Sequence, residues 1–106
     1  MLVAILFLAA AAVPADPCGG ARPVAPDVAA ARRIAEATIR GRPALRPVTE
    51  AAAAGHPYRL AVEVDRDDAR QWSAYQMPPE LRRGGGGLEF RIDRCTGAIS
   101  RMHYSR

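Results

Sequence analysis

The sequence predicts an α+β domain in which an N-terminal helix packs on an antiparallel sheet of about four strands, ending in a C-terminal β-hairpin. Three observations carry this. Leu88-Glu89-Phe90-Arg91-Ile92-Asp93 alternates, Arg94-Cys95-Thr96-Gly97 turns, and Ala98 to Arg106 returns. Tyr58-Arg59-Leu60-Ala61-Val62-Glu63-Val64 alternates in the same way. Between residues 27 and 40 the apolar residues instead recur at helical spacing.

The helix opens at Asp27, a good N-cap preceded by Pro26, and runs to about Arg40, where Gly41 and Pro43 stop it. Val28, Ala31, Ala35, Thr38 and Ile39, with Ile34 beside them, form its apolar stripe. The small alanines let such a helix lie close to a sheet. Arg32, Arg33, Glu36 and Arg40 lie elsewhere on the wheel, and Glu36 precedes Arg40 by four residues, the favoured order for an ion pair. Residues 43–57 admit two readings: a short capped helix over Thr49 to Ala54, or a loop. After the strand that starts at Tyr58, Asp65-Arg66-Asp67-Asp68 is a polar turn. Arg70 to Gln76 is the antiparallel partner, with Trp72 and Ala74 on the buried face and Tyr75 opposite them. Pro78 and Pro79 close that strand because neither donates to a ladder. Glu80 to Gly87 reads as a loop.

Residues 1–15 carry no charged side chain, and Leu2 to Val13 is an unbroken apolar run of twelve. That length suits the apolar region of a signal peptide and falls short of the roughly 20 residues a membrane-spanning helix needs. Val13-Pro14-Ala15 places small residues where a signal peptidase reads them, so cleavage is expected after Ala15. The expected organisation is a signal peptide over 1–15, an extended Pro/Gly/Ala leader over 16–26 and one small domain over 27–106. Export to the periplasm or beyond is the expected localisation, with no membrane association after cleavage. In an oxidising compartment Cys18 and Cys95 are expected to form a disulfide between the leader and the hairpin turn. A domain this small has a marginal core and gains from such a staple.

All fifteen basic residues are Arg, set against eleven acids, and the net charge of +4 is spread along the chain. Nucleic-acid binding asks for basic residues gathered on one face among stacking aromatics, whereas Arg32-Arg33 and Arg82-Arg83 are only pairs. No nucleic-acid partner is expected. Nor is catalysis: the nucleophiles and bases are few, His56 and His103 among them, and a cysteine pair in a disulfide is not nucleophilic. Asp65, Asp67 and Asp68 lack the glycine and distal Glu of a calcium loop, and the four glycines precede a strand instead of the helix that cradles phosphate. No metal or cofactor is expected. Tyr58, Tyr75 and Tyr104, rimmed by Arg82 and Arg83, are the expected partner-binding patch.

From Asp27 onward the chain resembles a family of small bacterial proteins with a nuclear-transport-factor-two-like fold, classed with immunity proteins of polymorphic toxin systems. The resemblance lies in Ala31 to Ala37, Pro57 to Leu60, Trp72 followed by Pro78, Gly85 to Asp93, and Thr96 to Ile99 ending in Met102 to Arg106. It implies neutralising a toxin by binding it, without turnover. A second resemblance, to PepSY domains, rests on the Ala-rich helix and on Asp93-Arg94-Cys95-Thr96-Gly97-Ala98-Ile99. It implies an exported module linked to peptidase inhibition. Both imply a protein partner, a toxin or a peptidase. The alternative from another class is a small-ligand or enzymatic cone-shaped domain.

Overall fold

Asp27 starts the first helix as its sequence position predicts: its Oδ1 accepts the Ala30 amide at 2.9 Å, and α1 runs Val28–Arg40. The computed structural model describes residues 17–78 and 86–104; the expected signal peptide, Arg82, Arg83 and most of the glycine-rich loop lie outside the described residues. The buried face of α1 is Ala30, Ala31, Ala35 and Ile39. This corrects the expected stripe at both margins. Val28 is 45% exposed and Thr38 half-buried, because the helix meets the sheet one position round from where apolarity alone placed it. The helix ends after Arg40, but Gly41 is right-handed at φ −80° and supplies no left-handed cap. The stop comes from Arg42, which is extended as a residue before proline must be.

Of the two readings of residues 43–57, the helical one holds, shifted towards the N-terminus. A 3₁₀ turn over Pro43–Leu45 leads into α2, Arg46–Ala53, three residues ahead of Thr49. Pro47 fits because the first helical turn needs no donor there. Leu45 and Val48 are the residues this segment buries.

Strands β1 (Arg59–Val64), β2 (Gln71–Met77), β3 (Leu88–Asp93) and β4 (Ile99–Tyr104) form one antiparallel sheet in chain order. Trp72 and Ala74 of β2 and Leu88, Phe90 and Ile92 of β3 face the helices and fill the space beneath α1. On the edge strand β1 only Leu60 is buried; Val62 is half-buried and Val64 44% exposed. Gly87 is part of the packing, not slack in a loop. A Cβ there would stand 1.8 Å from the Gln76 carbonyl oxygen, so only glycine lets the chain enter β3 at this point.

The residues ahead of α1 are held more firmly than a leader tied only at Cys18. The Val24 and Ala25 amides donate to the carbonyls of Cys95 and Arg94 at 3.2 and 2.9 Å, and Trp72 Nε1 donates to the Ala25 carbonyl at 2.9 Å. Ala25 is fully buried. Cys18 and Cys95 form the expected disulfide, with Cα atoms 5.4 Å apart and a sequence separation of 77. A loop of that length contributes about 4 kcal/mol by chain entropy, a large share of the roughly 5–15 kcal/mol that holds a domain folded. Replacing both cysteines by alanine is therefore expected to lower the unfolding free energy by about 4 kcal/mol, measured by urea denaturation.

Gln76 is the anomaly of the core. It lies in register between Leu60 and Leu88, is fully buried, and neither atom of its amide has a hydrogen-bond partner among the described residues. A buried unsatisfied group of this kind costs about 1–3 kcal/mol. Gln76→Met keeps the shape and removes the penalty. It is expected to raise the denaturation midpoint by about 1 kcal/mol or more of stability, and an unchanged midpoint would show that the amide is satisfied in solution.

Candidate binding face

Helices cover one side of the sheet, and on the other the strand alternation lays side chains out in rows. Ala61, Tyr75, Glu89 and His103 are paired across the four strands in one row, and Glu63, Ser73, Arg91 and Ser100 in the next. All of these but Ser100 line a depression of about 690 Å³ that spans all four strands. A second hollow, of about 290 Å³, lies beside it against the β1–β2 turn. Arg91 and Arg101 line both.

Between the rows the sheet is irregular. Phe90 of β3 faces two residues of β4, Arg101 and Met102, a bulge in which Arg101 takes the left-handed φ of +53°. The extra residue breaks the alternation of β4. Ser100 stands in register with Arg91 on the open side, its neighbour Arg101 lines the same side, and Met102 packs against the core. Arg101 thus occupies a conformation that costs a residue with a side chain about 1–2 kcal/mol.

The polar groups of this face are held by one another. Asp65, expected to be a solvated turn residue, is buried. Its carboxylate accepts Ser73 Oγ at 2.7 Å, the Arg91 guanidinium, and the amides of Asp67 and Asp68 at 3.1 and 3.0 Å. The Ser73 hydrogen bond, with the amides and Arg91, outweighs burial and holds its pKa below the ordinary carboxylate value. His103 Nε2 lies 2.8 Å from Glu89 Oε2, and its Nδ1 lies 3.1 Å from the Arg101 carbonyl oxygen. At the end of the sheet, burial of Asp93 works against its charge. The Thr96 and Cys95 amides and Arg70 overcome that and lower its pKa as well.

Both sheet edges carry obstructions. Arg32 of α1 donates to the Leu60 carbonyl of β1 at 2.9 Å, occupying an acceptor an added strand would need. On β4 the bulge bends the edge. The edges are therefore less open to strand addition than an unobstructed edge would be.

The tyrosines expected to form one patch are dispersed. Tyr58 lies on the helix side, where its hydroxyl donates to Glu36, and burial there pushes its pKa up to about 12. Tyr75 lines the open face. Tyr104 is paired with Leu88, in register with the helix-side residues, and is 44% exposed. The parity of Tyr58 with Leu60 made the first of these placements readable from sequence; the bulge that governs β4 was not. Trp72 is the core residue expected, with the Arg94 guanidinium 4.4 Å from its ring centroid. Among the described residues no cluster of three or more His, Cys, Asp or Glu is arranged to hold a metal ion, and no helix is long and apolar enough to cross a membrane. No family model, curated protein or solved structure matches the chain.

Because the folded pKa values of Asp65 and Asp93 lie below their unfolded values, the stability they contribute is present above about pH 4 and is lost as the pH falls below that, through the folded values. Melting temperature followed by circular dichroism is expected to be flat from neutrality to about pH 5 and to drop below pH 4. Asp65→Asn lowers stability at neutral pH and makes the acid slope shallower.

Proposed function

We propose that this chain is an exported, non-catalytic protein-binding domain, immunity-like or inhibitor-like, that neutralises or modulates a partner through the open face of its sheet. The observation that carries this reading is the one-sided covering of the sheet among the described residues. The helix side is filled by Trp72, Phe90 and their neighbours, where a cone-shaped ligand-binding domain needs a hollow. The other side presents a broad depression in which Arg91 and Glu89 are held by ion pairs with Asp65 and His103. Preorganised side chains lose little entropy when a partner docks.

The disulfide supports export, because such a bond persists in an oxidising compartment. The fate of the candidate nucleophiles supports binding without turnover. Cys95 is bonded to Cys18, Ser73 donates to Asp65, and His103 faces Glu89.

The test places a photo-crosslinking amino acid at Ser73 or Tyr75 on the open face, or at Arg33 on the outer side of α1, in the host's envelope. The expected result is one discrete crosslinked protein from the open-face positions and none from position 33. Crosslinks from position 33 alone, or from no position, would overturn the proposal.

A further inference from the structure

The charges of the depression do not cancel in place. Glu89 is paired with His103 and Arg91 with Asp65, whereas Glu63 of β1 and Arg101 of β4 have no counter-ion among the described residues. The face therefore has an anionic end on one edge strand and a cationic end on the other. They lie within a residue of the same level along the strands, since Glu63 shares its row with Ser100, the neighbour of Arg101. Three inter-strand spacings separate β1 from β4, about 14 Å. Between them in that row stand Ser73 and Arg91, and the neighbouring row includes Ala61 and Tyr75.

From this we infer that the depression takes an extended peptide segment lying across the strands, with an acidic side chain over Arg101 and a basic one over Glu63, four residues apart. The inference rests on the open face being the docking surface. Four extended residues advance about 13 Å, which matches the separation, and residues four apart project to the same side. The residue midway between them also points down, over Ser73 and Arg91 and beside Tyr75 of the neighbouring row. The left-handed backbone at Arg101 gives the same reading from another direction. A glycine would relax that position, yet an arginine holds it and aims its charge onto the open face.

The experiment titrates the oxidised, isotope-labelled protein with Ac-Glu-Ala-Phe-Ala-Arg-NH2 at low salt and follows its amide resonances. The controls are the same peptide with Gln at both ends and Ac-Ala-Glu-Phe-Arg-Ala-NH2, in which the charges are two residues apart. The charged, four-spaced peptide is expected to bind about fivefold tighter than either control, the scale of exposed ion pairs. Its shifts should centre on Glu63, Ser73, Arg91 and Arg101, and the preference should fade in high salt. Arg101→Gly, which leaves no left-handed strain, and Glu63→Gln should each lower the preference, while the exchange Glu63→Arg with Arg101→Glu should restore it. Equal binding of the neutral peptide, or a preference indifferent to these variants, would overturn the charge reading and leave the open face as a docking surface. No perturbation by any peptide would overturn both. Self-association in sedimentation that Arg101→Glu abolishes would overturn the peptide in favour of a second copy of this chain.

Discussion

The carboxylate of Asp93 gathers the turn between β3 and β4, accepting the Cys95 and Thr96 amides and the side chains of Arg70 and Gln71. The N-terminal segment depends on that turn for its place. It brings Cys95 against Cys18, sets the Arg94 guanidinium over Trp72, and offers the carbonyls of Arg94 and Cys95 to Ala25 and Val24. Gly97, left-handed at φ +77°, completes the turn with its Cα bare against Val24. Trp72 joins the tie from the core side through the Ala25 carbonyl. A domain whose main helix buries mostly alanines gains little from that helix's apolar area. Cross-links of this kind, covalent and hydrogen-bonded, make up the difference.

The same economy shapes the other side of the sheet. Among the described residues the helices cover one face of the sheet and leave the other to polar side chains. Those side chains are ordered by mutual pairing, Asp65 with Arg91 and Ser73, Glu89 with His103. The result is a rigid, mixed-charge surface with two charges unspent.

Local pattern determined much of this molecule. Helical spacing and Asp27 located α1; alternation located four strands and set Trp72 and Ala74 against Tyr75; two cysteines in an exported-looking chain announced their bond. These features rest on contacts between residues near in sequence, or on there being one possible pairing. The left-handed Arg101, the burial of Asp65, the unpartnered Gln76 and the scattering of Tyr58, Tyr75 and Tyr104 over different places were decided only when the strands met. Each depends on register between segments tens of residues apart, and a single extra residue in β4 changes which side chains share a face. Sequence periodicity records which way a side chain turns relative to its neighbours. It holds no record of what stands opposite.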